Sequence, residues 1–221
     1  MYKRQDISSG NPNGNYSSSQ TLYVGSTWRC YWKATSLPAI PSTAYITKAA
    51  ISLRTNGTNG NYVGVYNVTT DWNSSLTWNK TTTETSPEGA LSATLLDYNC
   101  IDGKDVTDNR YTWDITSLYE AWRSGETPNY GIGFKIVDGT SASGNTVFDS
   151  SECTATAQRP QLTVSYQDMK GIESYWSYTS QSAGLAGTGY INNATGTLIL
   201  SKALLSTTDN LIPVSYTHLT L

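Results

Sequence analysis

The sequence has little of several residue types, and each shortage weighs against a class of function. Its one histidine is His218, which leaves little from which to build a Ser-His-Asp triad or a histidine-ligated zinc site. Only 14% of the residues are charged and the net charge is −3, whereas a nucleic-acid-binding domain carries a basic face. No apolar run in the sequence approaches the length of about 20 residues that a membrane-spanning helix requires.

Cysteine is also scarce, and its pattern disfavours a disulfide scaffold or a zinc site. Cys30, Cys100 and Cys153 are odd in number and lack Cys-x-x-Cys spacing. Cys30 lies in an alternating apolar segment and is interpreted as a small buried side chain. A single Cys100–Cys153 disulfide stays open. The abundant residues are Ser, Thr, Asn, Gly and Tyr, which is typical of short strands joined by hydrogen-bonding turns.

The two ends of the chain resemble translated sequencing-adaptor DNA. Residues 1–5 correspond to one strand of a transposon-based adaptor, and residues 214–221 correspond to the opposite strand. Non-native segments of this kind are set aside in fold reasoning. We therefore expect residues 1–5 and 214–221 to be artefacts that do not fold with the domain. A natural N-terminus and an ordinary polar tail are the alternative.

Short segments of alternating apolar and polar residues recur along the chain and predict β-strands. They are residues 21–24, 28–34, 46–54, 62–68, 93–98, 111–115, 131–137, 146–150 and 161–166. One helix is predicted, with Thr116 or Ser117 as its N-cap and Gly125 at its end. Many short strands and one short helix predict an all-β fold, a jelly-roll-like β-sandwich.

Several motifs in the first three quarters of the chain occur in an order that resembles one family. They are Thr21-Leu-Tyr-Val-Gly, Arg29-Cys-Tyr-Trp-Lys, Val65-Tyr-Asn-Val-Thr, Asp114-Ile-Thr-Ser-Leu, Gly131-Ile-Gly-Phe-Lys and Phe148-Asp-Ser-Ser-Glu with Arg159-Pro. Together they resemble the DNRLRE domain, a bacterial extracellular β-sandwich related to carbohydrate-binding modules. The resemblance covers residues 6–166, although the motif that names the family is not present literally.

Two further motifs follow, Gly171-Ile-Glu-Ser-Tyr-Trp and Gly187-Thr-Gly-Tyr-Ile-Asn. With them, residues 171–200 resemble the segment that follows this domain in large clostridial Rhs/YD-repeat wall-associated proteins. The resemblance implies a truncated β-rich region over residues 167–213, secretion or surface display by a Gram-positive bacterium, and a downstream Rhs shell as partner. The sequence contains no YD repeat. Residues 190–200 predict a partial β-hairpin with its turn at Asn193–Gly196.

Cations on polar strand faces are the candidate ligand-binding residues. Alternation places Arg29, Tyr31 and Lys33 on one face of a strand, and Arg54 and Lys135 on the polar faces of two others. If these strands are neighbours, the five residues form a cationic patch that suits an anionic polysaccharide, because arginine pairs with carboxylates. The alternatives are a scattered solvated face with weak ion pairs, or an internal Arg29–Glu152 pair.

Other candidate residues are interpreted as structural. Core packing is expected for the tryptophans at apolar-patterned positions, Trp32, Trp72, Trp78 and Trp122, and is left open for Trp28 and Trp113. Glycoside hydrolysis needs two facing carboxylates, and no spacing singles out a pair from Asp71, Asp114, Asp149 and Glu152. Glu152 and Arg159 are expected to form an ion pair. The loop with Asp102, Asp105 and Asp108 has the composition of a structural calcium site, with a solvated acidic loop as the alternative.

The sequence therefore favours a non-catalytic extracellular carbohydrate- or cell-wall-binding module of a large secreted Rhs-like protein. A structural spacer or adhesion domain without a sugar site is the alternative, and a polysaccharide lyase or glycoside hydrolase is the second alternative. No cofactor beyond that calcium ion, no nucleic-acid partner and no membrane span are expected. The identity of the glycan stays open.

Overall fold

The computed structural model of the protein describes residues 2–42, 44–82, 87–104 and 106–168, and the strands at 175–179, 186–192 and 197–200. The chain divides into two compact units. One comprises Met1–Pro38 and Lys48–Ser165, and the other comprises Ala39–Thr47 and Tyr166–Leu221. Within the described ranges, no helix is both long and apolar enough to cross a membrane.

The described elements are short strands with two short α-helices. The strands are β1 (Tyr2–Ser8), β2 (Thr21–Val24), β3 (Trp28–Ala34), β4 (Ala44–Arg54), β5 (Tyr62–Val68), β6 (Leu91–Cys100), β7 (Arg110–Asp114), β8 (Ile132–Ile136), β9 (Thr146–Asp149), β10 (Gln161–Asp168), β11 (Tyr175–Thr179), β12 (Ala186–Asn192) and β13 (Thr197–Leu200). The helices are α1 (Trp78–Thr81) and α2 (Thr116–Ser124), with a 3-10 turn at Thr156–Gln158. The predicted all-β class with a sandwich architecture is confirmed.

Antiparallel pairing arranges these strands into four sheets. The largest has the order β1-β3-β8-β5-β6, and the second has the order β10-β4-β7. Strands β2 and β9 form a two-stranded sheet, and β11, β12 and β13 form a three-stranded sheet. Crossovers such as β3 to β8 bring together segments that are about 100 residues apart in the chain, so many side-chain pairs in this fold are distant in sequence.

The main core is built around one indole ring. Trp113 of β7 packs edge-on against Phe134 of β8 at 5.1 Å and against Phe148 of β9 at 5.8 Å between ring centroids. Its indole N–H donates to the carbonyl of Val63, at 2.9 Å. All three rings are fully buried. The sequence leaves the burial of Trp113 open, and the structure places this residue where three sheets meet.

A second, smaller core covers part of the opposite face of the five-stranded sheet. It consists of Ile7, Tyr31, Val68, Trp72 and Leu76, with Trp78, Leu91 and Tyr130 packed around it. The chain after β5 supplies Trp72 and Leu76. The expected burial is therefore found for Trp32, Trp72 and Trp122, whereas Trp78 is half-buried.

The predicted helix is confirmed as α2, with one change at its start. Its buried face consists of Leu118, Tyr119 and Trp122. A carboxylate oxygen of Asp114 accepts hydrogen bonds from the backbone N–H and the hydroxyl of Thr116, so Asp114 binds the first turn and Thr116 is itself helical. Gly125 ends the helix with φ of 78°, a left-handed conformation that favours glycine.

The expectation that residues 1–5 lie outside the fold is wrong for residues 2–5. Strand β1 pairs with β3 along its whole length, from Tyr2 opposite Ala34 to Ser8 opposite Trp28. Arg4 is only 4% exposed and Gln5 is fully buried. A sheet edge offers backbone hydrogen bonds whatever the side chains are, so the polar sequence does not prevent pairing. Residues 214–221 lie outside the described residues.

The predicted hairpin in the tail can be compared with the paired strands there. Strands β12 and β13 pair antiparallel, with Asn192 opposite Thr197, and β11 pairs with the other edge of β12, so the hairpin is confirmed. The turn residues 193–196 lie outside the described residues.

All three cysteines are free and Cys30 is buried, so the Cys100–Cys153 disulfide that stays open in the sequence is not formed.

Candidate functional site

Four of the five candidate ligand-binding residues lie on the five-stranded sheet, and three of these reach its surface. Arg29, Tyr31 and Lys33 lie on β3, and Lys135 lies on β8, the neighbouring strand. Cys30 pairs with Phe134 of the core, so Arg29 and Lys135 are adjacent on the opposite, outer face. Lys33 shares that face but lies four residues along β3 from Arg29, about 13 Å away.

The expectation that Tyr31 faces solvent is wrong. Its side chain is fully buried in the smaller core, between Arg29 and Lys33 in the strand. Burial raises the pKa of its hydroxyl to about 12, although neighbouring Arg29 opposes the rise. Alternation places Tyr31 on the outer face correctly, but that part of the face is covered by Trp72 and Leu76.

The expectation that Arg54 joins the patch is also wrong, because β4 belongs to another sheet. A guanidinium nitrogen of Arg54 donates to Asp149 at 2.9 Å and to Asn56 at 2.9 Å. The carboxylate of Asp149 is almost fully buried. Arg54 therefore neutralises a buried charge between β4 and β9, which is a structural task.

The two outer-face lysines are each held by an acid and an aromatic ring. The ammonium of Lys33 donates to Asp71 at 2.8 Å and lies 5.5 Å from the ring centroid of Tyr130. The ammonium of Lys135 donates to both carboxylate oxygens of Asp138 and lies 4.7 Å from the ring centroid of Tyr66. The hydrogen bond from Lys33 lowers the pKa of Asp71. Both lysines are thus neutralised within the domain.

Arg29 differs from the lysines because no acid of the described residues neutralises it. Its guanidinium lies 4.6 Å from the ring centroid of Trp78, and among the described residues no carboxylate is within ion-pair distance of it. The internal Arg29–Glu152 pair, one alternative in the sequence, is not formed. The side chain is half-exposed, so its charge is available to an anion from solution.

Two exposed tyrosines complete this surface, and neither is among the ligand-binding residues predicted from the sequence. Tyr62 of β5 is 41% exposed and Tyr98 of β6 is 53% exposed, and their ring centroids lie 6.1 Å apart. Gly64 pairs with Tyr98 on one side and with Lys135 on the other. Tyr98, Lys135 and Arg29 therefore follow one another across the strands. We call Tyr62, Tyr98, Lys135 and Arg29 the outer-face row.

A signal for the two tyrosines is present in the sequence. Tyr62 and Gly64 both lie at outward positions of a strand predicted with the bounds that the structure gives it. An aromatic ring at an outward strand position is a candidate platform for a ligand. The register that joins Tyr98 to the same face involves the strand shifts of β6, which no local pattern reveals.

The carboxylates considered for catalysis are engaged in structural contacts. Asp71 binds Lys33, Asp149 binds Arg54, and hydrogen bonds from Thr116 lower the pKa of Asp114. Glu152 accepts from Ser151. The predicted Glu152–Arg159 ion pair is wrong, because the guanidinium of Arg159 donates to the carbonyl of Cys153 at 2.8 Å.

The predicted calcium loop is described only in part. Asp102 lies 3.4 Å from the ammonium of Lys104, while Asp105 lies outside the described residues. Over the ranges that the structure does describe, no group of three or more His, Cys, Asp or Glu side chains is placed to hold a metal ion. The calcium ion stays a prediction.

Comparison with known proteins identifies the domain. A search of curated proteins found no match to this sequence. A family model does match, over residues 7–166, and it describes carbohydrate-binding module family 96. The matched range begins within β1 and ends within β10, and it includes the whole outer-face row. The chain belongs to carbohydrate-binding module family 96.

Proposed function

We propose that this domain is a non-catalytic module that binds an acidic polysaccharide along the outer-face row. The observation that carries the proposal is the alignment of an exposed tyrosine pair with Arg29, which no described carboxylate neutralises, on one sheet face. Family membership supports carbohydrate as the ligand class, and the row supplies the two kinds of contact that an acidic sugar polymer needs.

The chemistry of the row fits a chain of uronic acids. Tyrosine rings offer apolar faces for sugar rings, and arginine pairs with a carboxylate through two parallel hydrogen bonds. From Arg29 on β3 to Tyr98 on β6 there are three strand spacings of about 4.8 Å, or about 14 Å in all. This distance spans several sugar rings, so the row can bind a polymer at more than one unit.

The three cations on the outer face are expected to contribute unequally to binding of an acidic sugar. Lys135 contacts an anionic sugar only in competition with Asp138, and Lys33 only in competition with Asp71. Arg29 has no such competitor among the residues that the structure describes. We therefore assign the principal carboxylate contact to Arg29, and a supporting role to Lys135.

We also propose that the module acts outside the cell, as part of a secreted or surface-displayed Rhs-like protein of a Gram-positive bacterium. The resemblance of residues 171–200 to clostridial Rhs/YD-repeat proteins supports this context, with the Rhs shell as partner downstream. A carbohydrate-binding module in such a protein would attach it to a cell-wall or environmental glycan.

Affinity electrophoresis in gels containing polygalacturonate or alginate tests the proposal. We expect the domain to be retarded, and we expect a Tyr62→Ala/Tyr98→Ala double variant and Arg29→Ala each to lose most of the retardation. Added salt should weaken binding, because exposed charges are screened beyond about 8 Å at physiological ionic strength.

Tyr45→Ala is the matched control, because Tyr45 is 51% exposed but does not belong to the row. It should migrate like the unmodified domain, and Lys33→Ala should lose less retardation than Arg29→Ala. Absence of retardation by any acidic glycan would favour the structural spacer or adhesion domain, and release of oligosaccharides from the gel polymer would favour the lyase or hydrolase.

A further inference from the structure

A second aromatic cluster lies at the turn between β2 and β3, away from the outer-face row. The rings of Tyr16 and Tyr23 each pack at a tilt against that of Trp28, with centroid distances of 4.9 Å and 5.1 Å. All three side chains are half-buried, so each keeps part of its ring at the surface. Trp28 precedes Arg29 on β3, and it therefore points to the other face of that strand.

The cluster carries polar groups that no described residue binds. Among the described residues, neither the indole N–H of Trp28 nor the hydroxyl of Tyr23 has a hydrogen-bond partner. Neither of these two polar atoms is buried, so both are accessible to solvent. By contrast, the indole N–H groups of Trp72 and Trp113 donate to backbone carbonyls inside the protein. The free groups can therefore bind hydroxyl groups of a ligand whose ring rests on the aromatic faces.

The loop that carries Tyr16 is held in place by specific contacts. The side-chain amide of Asn11 donates to the Tyr16 hydroxyl at 3.1 Å, and that of Asn15 donates to the carbonyl of Ser74 at 2.6 Å. Gly14 lies so close that a Cβ there would be 2.7 Å from the Tyr16 hydroxyl. A fixed aromatic surface loses little conformational entropy when it binds a ligand.

Tyr16, Tyr23 and Trp28 carry no charge themselves, and the cation bound to the loop of Tyr16 is buried. Arg4 donates to the carbonyls of Tyr16 and Ser19, and its side chain is buried beneath them. The groups that the three residues themselves offer a ligand are aromatic rings, a hydroxyl and an indole N–H. These groups suit an uncharged sugar ring, because they offer apolar stacking and neutral hydrogen bonds without a counter-ion for a carboxylate.

We propose that Tyr16, Tyr23 and Trp28 form a second glycan site, which binds an uncharged sugar unit by stacking and neutral hydrogen bonds. The proposal rests on the membership of the carbohydrate-binding family and not on the outer-face row. Binding at this site should be insensitive to salt, whereas binding at the row should weaken with salt.

Nuclear magnetic resonance tests this site with neutral hexaoses of xylose, glucose or mannose as probes. Each indole N–H gives one peak in a nitrogen-correlated spectrum, and Trp28→Phe identifies the Trp28 peak by removing it. We expect at least one hexaose to shift that peak at 20 mM and at 500 mM sodium chloride alike. Tyr23→Ala should abolish the shift of the Trp28 peak, and Gly14→Ala should weaken it by displacing the Tyr16 hydroxyl.

The two sites are separated by their variants. Trp28→Phe keeps a ring in place and should keep both the fold and the retardation by polygalacturonate, whereas Tyr62→Ala/Tyr98→Ala should leave the Trp28 shift unchanged. A Trp28 peak that no neutral hexaose moves at millimolar concentration overturns the proposal. A shift that disappears in the Tyr62→Ala/Tyr98→Ala variant also overturns it, because the sugar would then bind at the row.

Discussion

Replacing Asp6 with Asn should stabilise the domain at neutral pH. Asp6 is fully buried on β1, opposite Cys30 of β3. One carboxylate oxygen accepts the backbone N–H of Tyr23 at 3.1 Å, while the other is buried and has no hydrogen-bond partner among the described residues. Burial raises the pKa of this carboxyl well above its usual range, against the opposing hydrogen bond from Tyr23 and the attraction of Arg4.

The size and sign of the effect follow from that environment. A buried polar group without a partner costs about 1–3 kcal/mol, and more when it is charged. The asparagine amide oxygen can still accept the Tyr23 N–H but carries no charge, so Asp6→Asn should raise the free energy of unfolding at pH 7 by an amount of that order. A folded-state pKa above the unfolded-state value means that ionised Asp6 destabilises the fold. The penalty is complete above the folded-state pKa and vanishes below the unfolded-state value of 3.8. Between these limits it changes by about 1.4 kcal/mol per pH unit.

Urea unfolding of the two proteins at pH 4 and pH 7 measures this difference. The advantage of Asp6→Asn should be small at pH 4 and should grow as the pH rises, while carboxylates such as Asp71 affect both proteins equally. Equal stability at pH 7, or a difference that is the same at both pH values, would refute the assignment of Asp6 as a buried, strained carboxylate.

Three further predictions concern the fold. Arg54→Ala should lower the free energy of unfolding by about 1–3 kcal/mol in urea titrations, because it leaves the buried carboxylate of Asp149 without its cation, and it should not change glycan retardation. Gly131→Ala should destabilise the domain more than Gly139→Ala. Both glycines have a positive φ, which costs about 1–3 kcal/mol for alanine. Of the two, only Gly131 is placed so that an added Cβ would collide with the Trp32 carbonyl. Dithiothreitol should leave the thermal midpoint unchanged, because the three cysteines are free; a lower midpoint in reductant would reveal a disulfide.

Local sequence patterns predict the strands of this domain well. The bounds of β2, β3 and β5 agree with the structure, because apolar and polar residues alternate there without interruption. Strand β1 is missed, since its residues at positions 3–6 are polar and its place in the sheet comes from backbone pairing with β3. A strand that is stabilised in this way has no hydrophobic pattern to detect.

The candidate site is predicted only in part, because alternation gives a side chain's face but not what covers that face. Arg29, Tyr31 and Lys33 do share the outer face, yet Tyr31 is covered by residues 69–78 and Lys33 binds an acid 38 residues away. Arg54 binds an acid 95 residues away, in another sheet. The Tyr62–Tyr98 pair depends on strand register. These tertiary contacts decide which cations stay available to a ligand.

The most direct test of the outer-face row is a map of backbone amide shifts as a galacturonic acid hexamer is added to the isotopically labelled domain. Our account predicts that the largest shifts fall around Tyr62, Gly64, Tyr98, Lys135 and Arg29, on four neighbouring strands of one sheet. It also predicts that the shifts decrease with added salt. Saturable shifts confined to the three-stranded sheet of β10, β4 and β7, with none in the row, would contradict it.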